Sequence, residues 1–430
     1  MKEKYLVNGR ILDPKNKIDE IGGLIIDSKG LIKAAGKKVS NSNLPAGVEM
    51  IDLNKKVLMP GIVDMRVFVG EPGYEYKENF RTLSNAALSG GVTSVVSMPN
   101  TNPVIDNVSM VDFLKRRGRD KSRINIFPAA SLTKNTEGKQ MTEFGLLKRK
   151  GIVAFTDGIK TIQDPRLMTR IMSFASQSKS LIMQHAEDNI LSNGGLINEG
   201  EISTRLGLQG IPSLAEKIIV ERDLSFLEEY FCRYHISQVS SKKTTSVIKK
   251  AKSEDKVFTS GVSINNLSLN ENDIGDFKTF LKLSPPLRTE KDRLALVQSI
   301  NDGTIDVIVS DHKPQDEESK RLTFAQAATG ASGIETLLPL ALELFHNKSV
   351  DLKKLIASIT TNPAKILGIN KGSLDKGNDA DLCVFDINKR SVVDKNKLRS
   401  KSKNTPIENR ELQGKVLKTF IKGDLAYEGV

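Results

Sequence analysis

The side chains with the most chemistry to offer sit beside apolar runs of a 430-residue chain. Asp157 follows Gly151–Phe155, His185 closes Leu181–His185, and Asp311 follows Ile305–Ser310. Two carboxylates and one imidazole could together hold a divalent cation, since a catalytic zinc needs about three protein ligands plus a water. Against such a site stands the stretch Met59-Pro60-Gly61-Ile62-Val63-Asp64-Met65-Arg66-Val67-Phe68-Val69-Gly70-Glu71-Pro72-Gly73. Residues two apart on a strand point to the same side, so Arg66 and Phe68 share a face. Arginine has no lone pair to give and repels a dication, and phenylalanine has no donor atom. The chain has only four histidines. His312 follows Asp311 and so points the other way on a strand, while His346, in a helical stretch, reads as a surface residue.

The elements that must position these groups alternate strand and helix. Val92–Ser97, Ile124–Ala129 and Tyr234–Val239 join the three runs above as buried-strand candidates. Met110–Arg117, Leu214–Tyr230 and Thr244–Ala251 read as helices between strands. This pattern predicts an α/β fold, a (β/α)8 barrel over residues 58–368. Residues 1–57 are short β-like runs broken by Gly, Asn, Pro and Asp, and the same texture returns over 369–430. The two ends are expected to form one small β-sandwich beside the barrel.

Composition narrows the class. Hydrophobic residues make up 38% and charged residues 27%, ordinary for a soluble protein, and no apolar run approaches the ~18–20 residues of a membrane span. The N-terminal residues lack the apolar core of a signal peptide. Cys232 and Cys383 lie far apart, so neither a disulfide framework nor a cysteine zinc site is implied. A cytoplasmic location is expected. The net charge of +12 is the one skewed quantity. Its lysines are spread along the chain without interleaved aromatics, so neither a nucleic acid nor a membrane is expected as partner.

Longer strings carry a family resemblance. They include Met98-Pro99-Asn100-Thr101-Asn102-Pro103, Gln184-His185-Ala186-Glu187-Asp188 and Arg205-Leu206-Gly207-Leu208-Gln209-Gly210-Ile211-Pro212. Pro285-Pro286-Leu287-Arg288, Ser310-Asp311-His312 and Ser400-Lys401-Ser402-Lys403-Asn404-Thr405-Pro406 continue the series. In this order they resemble the dihydroorotases of the cyclic amidohydrolase superfamily. That family closes N-carbamoyl-aspartate into dihydroorotate, reversibly, with zinc held at the mouth of a barrel. Its opening motif reads Pro-Gly-Xaa-Xaa-Asp-Xaa-His-Xaa-His-Xaa-Arg-Glu-Pro-Gly.

The resemblance implies which positions are kept and which are changed. Three of six metal positions survive, Asp157, His185 and Asp311, the last also matching the family's general acid/base. Arg66, Phe68 and Gln238 stand where histidines belong, His235 matching a non-ligand histidine. Among substrate contacts, Asn100 is kept, while Gly70, Ser284 and Gln315 replace an arginine, an asparagine and a histidine. Losing the arginine and asparagine removes the charge-paired grip on a dianion. The chain is therefore expected to hold no metal or cofactor and to lack catalytic residues, with Asp311 vestigial. His185 reads as a core histidine, and Asp157 and Asp311 as buried carboxylates sharing the counter-charge of Arg66.

The resemblance further extends to a metal-less branch of the family whose members associate with aspartate carbamoyltransferase. A non-catalytic partner of that enzyme's catalytic subunit, in homo- and hetero-oligomers, is the expectation. The alternatives are a divergent but active zinc dihydroorotase and a non-catalytic binder of carbamoyl-aspartate. The Gly210-Ile211-Pro212 region is expected to face the surface.

Overall fold

The computed structural model describes residues 2–39 and 47–429. Eight parallel strands follow one another round a ring: Ile62–Val67, Val92–Ser97, Asn125–Ala130, Ala154–Phe155, Leu181–Gln184, Arg233–Ile236, Thr259–Ser263 and Val307–Val309. These are numbered below as the first to eighth barrel strands. Consecutive strands pair in register, for example Ser94 with Asn125 and Met183 with His235. The ring closes through a bridge between Val67 and His312, where Phe68 N–H donates to the His312 carbonyl at 2.9 Å. Asp64 reinforces the seam by accepting from Arg66 N–H at 3.1 Å and Ser310 N–H at 3.3 Å.

Parallel strands are buried on both faces, which is why Val92–Ser97 is apolar or small throughout and wholly buried. Val63 and Met65 of the first strand share a cluster with Ala129, Ala154 and Met183 from across the ring, and with Val307 of the eighth. Strands on opposite sides can meet only in the lumen, so this cluster fills it. A larger cluster lies between the strands and the surrounding helices, joining Val95, Ile182, Ile236 and Ile308 to Leu83, Met168, Ile219 and Ile248. The helices start where their sequences supply caps. Asn79 accepts from Arg81 and Thr82 N–H ahead of Phe80–Ser89, and Asp164 accepts from Arg166 N–H ahead of Pro165–Ser178.

The two chain ends meet in a second sheet of eight strands, five from the N-terminal end and three from the C-terminal end. Val57–Pro60 is the join, lying parallel to Lys4–Asp13 and antiparallel to Leu382–Val392. Val57–Pro60 therefore belongs to this sheet, and the chain enters the barrel at Gly61 rather than at residue 58. Leu6, Ile11, Leu24, Leu58, Leu382 and Phe420 form its core. Among the described residues no helix is long and apolar enough to cross a membrane.

Candidate active site at the barrel mouth

The first strand delivers Arg66 to the C-terminal mouth of the barrel with 1% of the residue exposed. Its Nε donates to Asp311 Oδ1 at 3.0 Å and its Nη1 to the Gly158 carbonyl at 3.1 Å. The guanidinium carbon lies 5.3 Å from the centroid of the Phe68 ring, a cation–π distance. Asp311 follows the eighth strand in the left-handed region at φ 50°. Burial raises its carboxyl above the ordinary value, against the pull of Arg66. Gln238 is near enough to favour the charged form, although its amide makes no hydrogen bond of good geometry.

Asp157 does not share in this pair. It follows the short fourth strand, and its carboxylate accepts from Thr133 N–H at 3.0 Å and from the Thr133 hydroxyl. Burial pushes it up to about 6 against those bonds. The expectation that Arg66 neutralises both aspartates is thus corrected: it pairs with Asp311 and reaches only the carbonyl of Gly158 on the other side. Asn100 donates to the Asp157 carbonyl at 3.0 Å, a backbone-positioning role. A Cβ on Gly158 would come within 1.6 Å of Asn100 Oδ1, which is why glycine follows Asp157.

His185 is buried with neither ring nitrogen hydrogen-bonded. Burial, followed by the charges of Arg66 and Lys313, lowers it to about 3, so it is neutral. It is a core residue, but an unsatisfied one. His235 sits deeper, its Nδ1 2.8 Å from Thr259 Oγ1, and burial lowers it also to about 3. His312 turns away from the mouth, as its position after Asp311 implies. Its Nδ1 accepts from Gly333 N–H at 3.2 Å, and its Nε2 is 3.5 Å from Glu78 Oε2. His346 corrects the surface reading: it is half-buried, with Nε2 2.9 Å from the Ile387 carbonyl.

The changed substrate positions are built into their surroundings. Gly70 has φ 77°, and a Cβ there would lie 2.7 Å from the Glu78 carbonyl and 2.8 Å from that of Tyr74. Gln315 donates from Nε2 to the Thr329 carbonyl at 2.9 Å and is held by Asn404, which accepts from its N–H. Ser284 is half-buried beside the Pro285-Pro286 pair.

Two features of the mouth escape the residue-by-residue reading. Lys313 stands where the family string Asp-His-Ala-Pro-His has alanine, and its Nζ lies 5.6 Å from the Phe68 ring centroid. Burial, then Arg66 and Lys77, bring it down to about 8 against the pull of Asp311. The second is Arg288, buried, whose Nη1 donates to Asn198 Oδ1 at 2.9 Å and to the Ile211 carbonyl at 2.6 Å, while Nε reaches Ser240 Oγ at 3.1 Å. It ties three of the distinctive strings together. The Gly210-Ile211-Pro212 region is therefore not surface-facing: Gly210–Ile211 pairs with Ile197–Asn198 and Ile211 is buried.

These residues do not fit zinc. A guanidinium sits against Asp311, Asp157 is turned to Thr133, and only His185 has a free donor atom. Among the described residues no group of three or more His, Cys, Asp or Glu side chains is placed to hold a metal ion.

Comparison with known proteins places this geometry in a lineage. Residues 55–244 match the family model described as Dihydro-orotase-like. A protein of Ehrlichia canis (strain Jake) named Dihydroorotase is 40% identical over 426 residues, covering 99% of this chain and 95% of that protein. One of the same name from Syntrophus aciditrophicus (strain SB) is 40% identical over 423 residues, 98% of this chain and 99% of that one. The solved L-hydantoinase (dihydropyrimidinase) of Arthrobacter aurescens superposes with a TM-score of 0.89 at 23% identity, covering 100% of this chain and 96% of that structure. The likeness to that structure is one of fold.

Proposed function

This chain belongs to the dihydroorotase family of the cyclic amidohydrolase superfamily, and we propose that within it the protein is a non-catalytic member acting as a structural partner in pyrimidine biosynthesis. The observation carrying this reading is the Arg66–Asp311 pair, which puts a fixed organic cation at the family's metal position. In that family a zinc ion polarises the reacting carbonyl and supplies a hydroxide at neutral pH. An arginine cannot lower the pKa of a bound water in that way, and here its donors are spent on Asp311 and Gly158. The preserved framework supports a role for the barrel itself, and aspartate carbamoyltransferase is the partner the resemblance suggests.

Relatives 37–40% identical over nearly the full chain are named Dihydroorotase, and this favours a second reading, an active divergent enzyme. One set of measurements separates the two. Metal content of the purified protein and dihydroorotate hydrolysis with added zinc are expected to be at background. Co-expression with the transferase, followed by sizing, is expected to give a joint complex. Robust turnover would establish the second reading, and two separate peaks would remove the transferase from the first.

A further inference from the structure

The mouth carries more positive charge than its own carboxylates neutralise. Arg66 takes up Asp311, and Asp157 faces Thr133. Lys313 and Lys77 remain, both half-buried on the rim. Their ammonium groups make ring contacts only: Lys313 with Phe68, Lys77 with Tyr74 at 5.3 Å and Tyr76 at 5.6 Å. Lys77 feels the charge of Asp316, but beyond ion-pair distance. Lys313 lies within the electrostatic reach of Arg66, Asp311, Lys77 and His185, so these groups share one space. Beneath them His185 offers two unpartnered ring nitrogens and Gln238 an unpartnered amide, both residues 1% exposed.

Buried polar atoms left without partners are costly, and a desolvated cation without a counter-charge more so. Water would satisfy Gln238 and His185 but would leave the excess cations unneutralised. We infer that the mouth is an oxyanion site, holding a small carboxylate or phosphate between the ammonium groups of Lys313 and Lys77. The Gln238 amide and one His185 N–H complete its hydrogen bonds, and Phe68 forms an apolar wall. The grip differs in kind from a dication with an arginine at position 70, which the backbone around Gly70 leaves no room for. The inference rests on the reading that Arg66, not a metal, fills the mouth.

Calorimetric titration of the full chain with sodium phosphate and, separately, with sodium succinate tests it, against sodium chloride at matched ionic strength. Metal content is measured on the same sample. Saturable binding of one oxyanion is expected, and the arm that saturates identifies phosphate or carboxylate. Kd is expected to rise at least tenfold in Lys313→Ala and in Lys77→Ala, to stay near wild type in Lys313→Arg, and not to move in Lys139→Ala, an exposed control. If Lys313→Ala fails to fold by circular dichroism, Lys313→Gln removes the charge and keeps the stem. Zinc-free protein that binds neither anion saturably, or binds with the same Kd after loss of Lys313, overturns this inference alone. Stoichiometric zinc in the purified chain overturns the reading beneath it instead.

Discussion

Arg66 Nε and Asp311 Oδ1 meet at 3.0 Å across 245 positions of sequence, with both side chains almost wholly buried. Removing one partner of a buried ion pair leaves the other charge desolvated and alone. Arg66→Ala is therefore expected to cost ~3–5 kcal/mol of stability, read from urea denaturation midpoints. Adding Asp311→Asn to that variant is expected to recover part of the loss, because the stranded charge is gone. A double variant no more stable than Arg66→Ala would show that the arginine acts by packing.

The second prediction concerns pH. His235 is wholly buried and lowered from 6.5 to about 3, so the native state binds fewer protons than the unfolded chain between those values. Its contribution to stability is complete above pH 6.5 and is lost as pH falls towards 3. Between pH 7 and pH 5 the loss is on the order of 2 kcal/mol from this residue. His235→Gln should flatten that slope, and equal slopes in the two proteins would refute the assignment.

Returning the family's arginine to position 70 is expected not to restore a grip on substrate. Gly70 holds φ 77° with two backbone carbonyls in the space of a Cβ. Gly70→Arg should cost ~1–3 kcal/mol through backbone strain alone. A fall in thermal or denaturant midpoint without gain of dihydroorotate turnover is the expected result.

Arg288 gives a fourth prediction. Its bonds to Asn198, Ile211 and Ser240 join segments up to 90 residues away in sequence. Arg288→Ala is expected to cost about 3 kcal/mol, the scale of charged hydrogen bonds lost together. Hydrogen exchange should speed up first at Leu196 and Glu199, whose N–H groups donate to Gln209 and Ile211 across the small two-stranded sheet. Protection unchanged at those amides would count against the network.

How far the sequence could be read depended on which physics each segment obeys. Val92–Ser97 and Leu181–Gln184 announce themselves because a strand buried on both faces is a continuous apolar run. The seventh strand, Thr259–Ser263, is missing from the sequence reading because Thr-Ser-Gly-Val-Ser carries one apolar side chain and lies inside the ring by pairing alone. At the mouth, the identities of Arg66, Phe68 and Gln238 were enough to set aside a zinc site, since ligand chemistry belongs to residue type. The partner of Asp157 was not readable: Thr133 is reached through the loop after the third strand, and nothing in its type marks it. Lys313 was hidden for the opposite reason, as one lysine among many until the fold set it over Phe68 beside Arg66.

Glu78, which follows the first strand, accepts from Ser400 Oγ and Lys401 N–H, and Ser402 Oγ donates to the Lys77 carbonyl, spans of more than 320 residues. The loop beneath Lys77 is thus latched by almost the last segment to leave the ribosome. Such long-range closures form late, so the ring can assemble during synthesis while its mouth stays unfinished until the tail arrives. Whatever the mouth holds, it can take it up only as a completed chain.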